Sequence, residues 1–377
     1  MLFADVIGQD AAKAHLLGMW QQNHLPHALL ICGPEGTGGL ALALALAQFV
    51  LCENKTNLDA CGHCPNCHKI AKLEHADLHF SFPAIKPEKK KEVLSDYYIK
   101  EFRKFILEQP YNTLYNWLQY IQAENKQGNI SADECRAIIE KLNLKAYEGG
   151  KKLMIIWRPE FLGKEGNMLL KLIEEPPVDT LIVLVAESIE EILPTILSRV
   201  QQIKLPSIHT GILAQALVNK GAHEKRAQQV ARMAEGSYIE ALRLLSEEEN
   251  DLFPQARNWF NLLFTNNGIG LAKFADELSK SGREQQKNFL HYVIHLLETT
   301  LKQRFTNHCN LADEELGFVQ KLAATHLSFE TIHSMIDEIG KTSYYIQRNA
   351  SGKIQMHALC IKLMSAIQNK KVSSLVQ

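Results

Sequence analysis

The chain has 377 residues, 46% of them hydrophobic and 22% charged, with a formal net charge of −1. Such a length supports two or three domains with a sizeable core, and the near-zero charge argues against a free-standing DNA-binding protein, which usually carries a basic excess or stripe. The longest uncharged apolar run, Leu40 to Cys52, is too short and alanine-rich to cross a membrane, and the opening Met1-Leu2-Phe3-Ala4-Asp5 carries no basic segment, so a cytoplasmic protein is expected.

Residues 2–22 read as an entry turn and a helix, with Ala11, Ala14, Leu16, Leu17 and Trp20 on one face and His24-Leu25-Pro26 as its stop. His27 to Cys32 is a short apolar run. It breaks into Gly33-Pro34-Glu35-Gly36-Thr37-Gly38-Gly39, and an Ala/Leu helix follows to about Leu51. Strand, glycine loop and helix in this order are the frame of a phosphate-binding loop, in which backbone N–H groups cradle phosphates, a Lys reaches the β/γ-phosphates and a Ser or Thr holds Mg²⁺. Gly39 and Leu40 stand at those last two positions and supply neither a cation nor a metal ligand. Little or no ATP hydrolysis is expected from this pocket. Gly33, Gly36, Gly38 and Gly39 then form either a degenerate phosphate loop, empty or holding an anion weakly, or a tight turn without a ligand.

Four of the eight cysteines crowd into one segment, Cys52, Cys61, Cys64 and Cys67. In a reducing compartment such a cluster reads as a metal site, and four thiolates with two-residue spacers suit a closed, structural zinc site. An iron–sulfur cluster and a site using His63 or His68 in place of Cys52 are the alternatives. The scattered Cys32, Cys135, Cys309 and Cys360 read as small buried hydrophobes.

Residues 76–129 carry a charge run, Lys86 to Glu92, and then Tyr97, Tyr98, Phe102, Phe105, Tyr111, Tyr115, Trp117 and Tyr120. Aromatics interleaved with lysines can contact nucleic acid. Amphipathic helices with one packed face give the same pattern, and that reading is preferred. Ser131 and Glu134 read as a capping box for a helix through Leu142 that ends before Gly149-Gly150. Lys152 to Trp157 is a buried strand. A nucleotide hydrolase needs an acid pair at its end, but Arg158-Pro159-Glu160 follows, with Glu160 the sole acid. Asn167 to Glu175 reads as a helix stopped by Pro176-Pro177, Thr180 to Ala186 as a third strand, Ile192 to Leu197 as a helix before Ser198-Arg199, and Gln201 to Pro206 as the closing strand. Strands alternating with helices indicate a parallel α/β sheet. Beyond Pro206 every periodic segment is helical: a small domain over 208–250, around Ala234-Glu235-Gly236-Ser237, then a bundle over 251–377 with Trp259, Leu262, Leu263, Phe289, Val293, Leu296 and Leu297 in its apolar repeats.

His27-Ala28-Leu29-Leu30 before a glycine loop, the four-cysteine insertion after the loop's helix, Asn167-x-Leu169-Leu170-Lys171-x-x-Glu174-Glu175-Pro176-Pro177, and Leu197-Ser198-Arg199 together resemble the subunits of the bacterial DNA polymerase III clamp loader. The resemblance covers residues 1–75 and 130–207, reaches the later helices only loosely and leaves out 76–129. It implies an AAA+-type α/β domain over 1–207 with a zinc module at 52–67 and a divergent insertion at 76–129, a helical lid over 208–250 and a helical collar over 251–377.

The missing Lys and acids resemble the non-hydrolysing delta-prime type, not the gamma/tau motor. Hydrolysing members carry an Arg in the lid helix where Ile239 stands here. The resemblance further implies a pentameric ring with gamma/tau and delta subunits, acting on the sliding clamp and primed DNA. Ser198-Arg199 would face a neighbour's ATP pocket, with Arg199 as an arginine finger supplied in trans. The family's usual Cys after Ser-Arg is Val200 here. A self-sufficient gamma/tau-type ATPase using Glu160 is the alternative, and a zinc-dependent DNA-binding regulator is a third reading.

Overall fold

A computed structural model describes residues 1–87, 92–123, 126, 128–148, 150–246, 252–306, 313–325, 327–347 and 350–368. Glu88 to Lys91 of the charge run, Gly149, Cys309, the junction at 247–251 and the tail from 369 lie outside the described residues. The chain divides into two units, Met1–Ser246 and Glu247–Gln377.

In the first unit, five strands among the described residues, β1 (Ala28–Cys32), β2 (Leu78–Ser81), β3 (Lys152–Trp157), β4 (Thr180–Ala186) and β5 (Gln201–Lys204), form a parallel sheet in the order β2–β3–β4–β1–β5. Leu29 pairs with Val183 and Ile155 with Val183 across the centre. Every residue of β1, β3 and β4 is buried, as a sheet covered on both faces requires. Four of these strands are the apolar runs expected from the sequence; β2 is unexpected, an edge strand of four residues broken by His79 and running straight into Phe82-Pro83.

The helices of this unit are α1 (Asp10–Gln21), α2 (Gly39–Leu51), α3 (Pro65–Ala71), α4 (Ile99–Glu108), α5 (Leu114–Tyr120), α6 (Ala132–Asn143), α7 (Leu170–Glu174), α8 (Pro194–Leu197), α9 (Thr210–Asn219), α10 (Glu224–Met233) and α11 (Tyr238–Ser246). Period-two alternation sends Leu29, Ile31, Ile155 and Val183 to one face, with α2, α4 and α5, and Leu30, Met154, Ile156 and Leu184 to the other, with α6 and α7. From Leu40 to Leu51 α2 is buried on all sides, which its uniform Ala/Leu composition permits. Each fully buried Leu, such as Leu42 or Leu46, contributes about 2 kcal/mol by area.

Three local expectations change. The stretch before Glu174 is a 3-10 segment over Pro159–Leu169, bent at Gly163, and α-helical geometry begins only at Leu170. The helix expected from Ile192 begins at Pro194, whose ring fixes φ at the first helical position. Only half of the expected capping box forms. Ser131 accepts the Glu134 N–H, but the Glu134 carboxylate is buried and taken by the Ser95 N–H at 2.8 Å and the Ser95 hydroxyl at 2.5 Å.

Most aromatics of 76–129 pack on one another, Tyr115 being exposed and Tyr111 meeting Tyr238 instead. Phe82 stacks on Phe102 with centroids 3.7 Å apart, Trp117 sits edge-on to both, and Phe102 also meets Trp157 of β3. The Trp117 indole donates to the Pro83 carbonyl at 2.9 Å.

The second unit contains α12 (Leu252–Phe264), α13 (Gly268–Lys280), α14 (Arg283–Thr306), α15 (Asp313–Ala323), α16 (Phe329–Gln347) and α17 (Gly352–Ile367). Trp259, Phe260, Phe289, Leu296, Ile339 and Met356 are buried in it, and the Trp259 indole donates to the Cys360 sulfur.

Candidate functional site

Cys52 caps the end of α2, Cys64 caps the start of α3, and Cys61 and Cys67 complete the group. All four sulfurs lie within 4.8 Å of one another, with Cys52–Cys61 at 3.5 Å, Cys52–Cys64 at 3.9 Å and Cys61–Cys67 at 3.9 Å. A tetrahedral ion with metal–sulfur bonds of about 2.3 Å places its ligands about 3.8 Å apart, so this spacing fits one metal ion. An iron–sulfur cluster, which sets several metal atoms between its thiolates, needs a wider cage. Backbone N–H groups of Cys61, Cys64 and Cys67 point at the sulfurs of Cys52, Cys61 and Cys64 at 3.3–3.4 Å. The His63 N–H, followed by that of Cys64, favours the Cys61 thiolate and holds its pKa down to about 6. The His63 ring pairs with the Cys61 carbonyl at 2.7 Å, and His68 stands outside the group.

The glycine loop leaves the carboxyl end of β1 and enters α2, the place where open α/β sheets bind ligands. Here the chain's own residues pack closely against the loop and leave a cleft beside it. A Cβ on Gly36 would fall 2.1 Å from the Ser237 hydroxyl oxygen, and one on Gly38 would fall 2.8 Å from the Tyr111 ring. Both glycines have positive φ, +75° and +97°, so the path needs glycine for backbone geometry as well. The Gly36 carbonyl accepts the Tyr238 N–H at 3.0 Å, and Tyr111 and Tyr238 meet edge to face at 4.9 Å. Gln9 ties the loop from below, donating to the carbonyls of Thr37 and Pro206. Ile239 lies beside Gly36, Gly33 approaches Leu205, Gly39 faces Val185, and Leu40 is buried.

The carboxyl ends of β3 and β4 reach the same place. Arg158, at φ +62°, forms an ion pair with Glu187, and both line the cleft with Gly33, Gly39 and Tyr111. Burial lifts the Glu187 carboxyl to about 7 against the opposing pull of Arg158. Glu160 accepts the N–H of Glu187 at 2.6 Å and of Ser188 at 3.3 Å, with its side chain 2% exposed. Its Oε1 thus ties the end of β3 to the end of β4, while Oε2 is buried without a hydrogen-bond partner among the described residues, 3.6 Å from Arg158 Nε.

Ser198 and Arg199 follow α8 on the exposed surface, away from these two groups in the chain's own contacts. Arg199 Nε donates to Glu174 at 2.5 Å, and Nη1 donates to the Thr195 carbonyl at 2.8 Å and the Ser198 hydroxyl at 3.0 Å. Val200 is buried. Tyr111, Ser237 and Glu174 stand out in the sequence only as members of an aromatic run or a motif, and Glu187 not at all; the glycines at 36 and 38 are the available signal that something packs close to the loop.

A sequence model of the family described as "DNA polymerase III, delta subunit" matches residues 8–209, more than half of the chain. The chain belongs to the DNA polymerase III delta subunit family. Among curated relatives of this family, the delta' subunit of DNA polymerase III from Bacillus subtilis (strain 168) is 27% identical over 238 residues, 63% of this chain and 58% of that protein. The delta' subunit from Escherichia coli (strain K12) is 30% identical over 185 residues, 49% of this chain and 43% of that protein. The tau subunit of the same organism is 27% identical over 252 residues, 65% of this chain and 32% of that protein. The chain thus spans about half the length of the delta' relatives it matches, and the DNA polymerase III delta subunit match embraces the glycine loop, the cysteine cluster, Glu160 and Arg199 together.

Proposed function

We propose that the chain is a delta-prime-type subunit of a cytoplasmic clamp loader, assembling with gamma/tau and delta subunits to place a sliding clamp on primed DNA. It hydrolyses no ATP at its own loop, and Arg199, with Ser198 beside it, enters a neighbouring subunit's ATP pocket to stabilise charge on the transferred phosphoryl group. One contrast carries this reading: Tyr111 and Ser237 cover the loop that lacks its cation and metal ligand, while Arg199 stands exposed at the surface. The four-cysteine group holds a structural zinc, the ion suited to four thiolates at single-ion spacing.

A gamma/tau-type motor is the second reading, favoured by the likeness to the tau subunit. Against it, Glu160, the acid it would use, commits Oε1 to two backbone N–H groups and buries Oε2 beside Arg158. Equilibrium filter binding of labelled ATP separates the two. The lone chain is expected to retain no ATP, yet to co-elute with gamma/tau and delta subunits in size exclusion. Hydrolysis by the lone chain at loader-like rates, or failure to co-elute, would overturn the proposal.

A further inference from the structure

Glu174 closes α7 and Arg199 follows α8, so their contact joins two motifs that lie apart in the sequence. The three hydrogen bonds made by Arg199 occupy Nε and Nη1. Nη2, at the tip of the guanidinium, has no partner among the described residues. The platform beneath is itself held: the Thr195 hydroxyl donates to the Asn167 amide oxygen at 3.0 Å, and the Asn167 amide nitrogen donates to the Lys164 carbonyl at 3.0 Å. A guanidinium fixed at two nitrogens has given up most of its rotamer freedom before any ligand arrives, and so binds with less ordering still to come.

We propose that Glu174 is a positioning residue, holding Arg199 so that Nη2 is presented to a phosphoryl oxygen of nucleotide bound on an adjoining subunit. This rests on the trans role proposed for Arg199. A half-exposed ion pair contributes little to folding stability, so its removal tests aim and not folding. Orientation matters most in the transition state, where charge develops on the phosphoryl oxygens, and its loss falls on kcat.

The test is steady-state ATPase of a reconstituted loader, stimulated by clamp and primed DNA, with this chain as wild type, Glu174→Ala, Glu174→Gln, Arg199→Ala and the Glu174→Ala/Arg199→Ala double variant. Glu174→Ala is expected to lower kcat about tenfold with KM for ATP and assembly unchanged. Glu174→Gln keeps an oxygen acceptor for Nε and should recover most of that loss. The double variant should be no slower than Arg199→Ala. Wild-type or faster turnover in Glu174→Ala, with Arg199→Ala impaired, would overturn the role of Glu174 while leaving that of Arg199 standing. An unimpaired Arg199→Ala complex would overturn both.

Discussion

The Tyr111 hydroxyl accepts the backbone N–H of Ile7 at 2.8 Å, and this bond pins the insertion's ring over Gly38. Tyr111 is 5% exposed, so the ring contact is taken out of water and the bond is partly shielded from it.

Tyr111→Phe therefore leaves the Ile7 N–H without its acceptor and should destabilise the first unit by about 1–2 kcal/mol. Tyr111→Ala also removes the contact with Tyr238 and should cost about 3–5 kcal/mol. Urea unfolding measures both. Neither variant should gain tight ATP binding, because Gly39 and Leu40 still supply no cation and no metal ligand. Tight binding by Tyr111→Ala would show the loop to be competent once uncovered.

The cysteine cluster has little apolar core around it beyond Ala60 and Leu2. Elemental analysis should find about one zinc per chain, and Cys64→Ser should lose it. The variant's Tm should fall by at least about 5 °C, since three ligands bind the ion less tightly and binding energy here is folding energy. Iron with visible absorbance, or an unchanged Tm after metal loss, would count against a structural zinc.

Glu187 gives stability a pH dependence of definite sign. Its carboxyl, ordinarily at 4.5, sits at about 7 in the folded chain because burial disfavours the charge more than Arg158 favours it. Between those values the native state holds a proton that the unfolded state has released. Stability from this group is therefore greatest at low pH and declines as pH rises to about 7. Wild type should lose on the order of 1–2 kcal/mol relative to Glu187→Gln between about pH 5 and pH 8, the partial exposure of the side chain keeping the effect modest. Parallel unfolding curves at all pH values would contradict the shift.

Much of the fold is legible in the chain. Lys152 to Trp157 and Thr180 to Ala186 are apolar runs that only a strand covered on both faces explains, and the two-residue spacers of the cysteine segment leave few alternatives to a shared metal. Tyr98, Phe102, Phe105, Trp117 and Tyr120 read as packing and pack, whereas Tyr115 stands exposed. The edge strand β2 is too short and mixed to declare itself.

The covering of the glycine loop is illegible for a different reason. Ile7, Gly38 and Tyr111, like Gly36 and Ser237, are distant in sequence and meet only in the folded chain. Glu134 shows the same limit locally: its spacing from Ser131 fits a capping box, but the buried hydroxyl and N–H of Ser95 offer its carboxylate stronger partners. Glu174 and Arg199 could each be singled out from their motifs, but nothing in the sequence says that they touch.

The central claim is that this chain's catalytic contribution is made in a neighbour's site. The most direct measurement is ATP turnover, stimulated by clamp and primed DNA, of loader assembled with Arg199→Ala in place of wild type. The account predicts a loss of at least about a hundredfold per affected site, with the complex still assembled, since an arginine finger contributes on the order of a thousandfold or more. Unchanged turnover in an intact complex would contradict it and leave Arg199 a surface residue paired with Glu174.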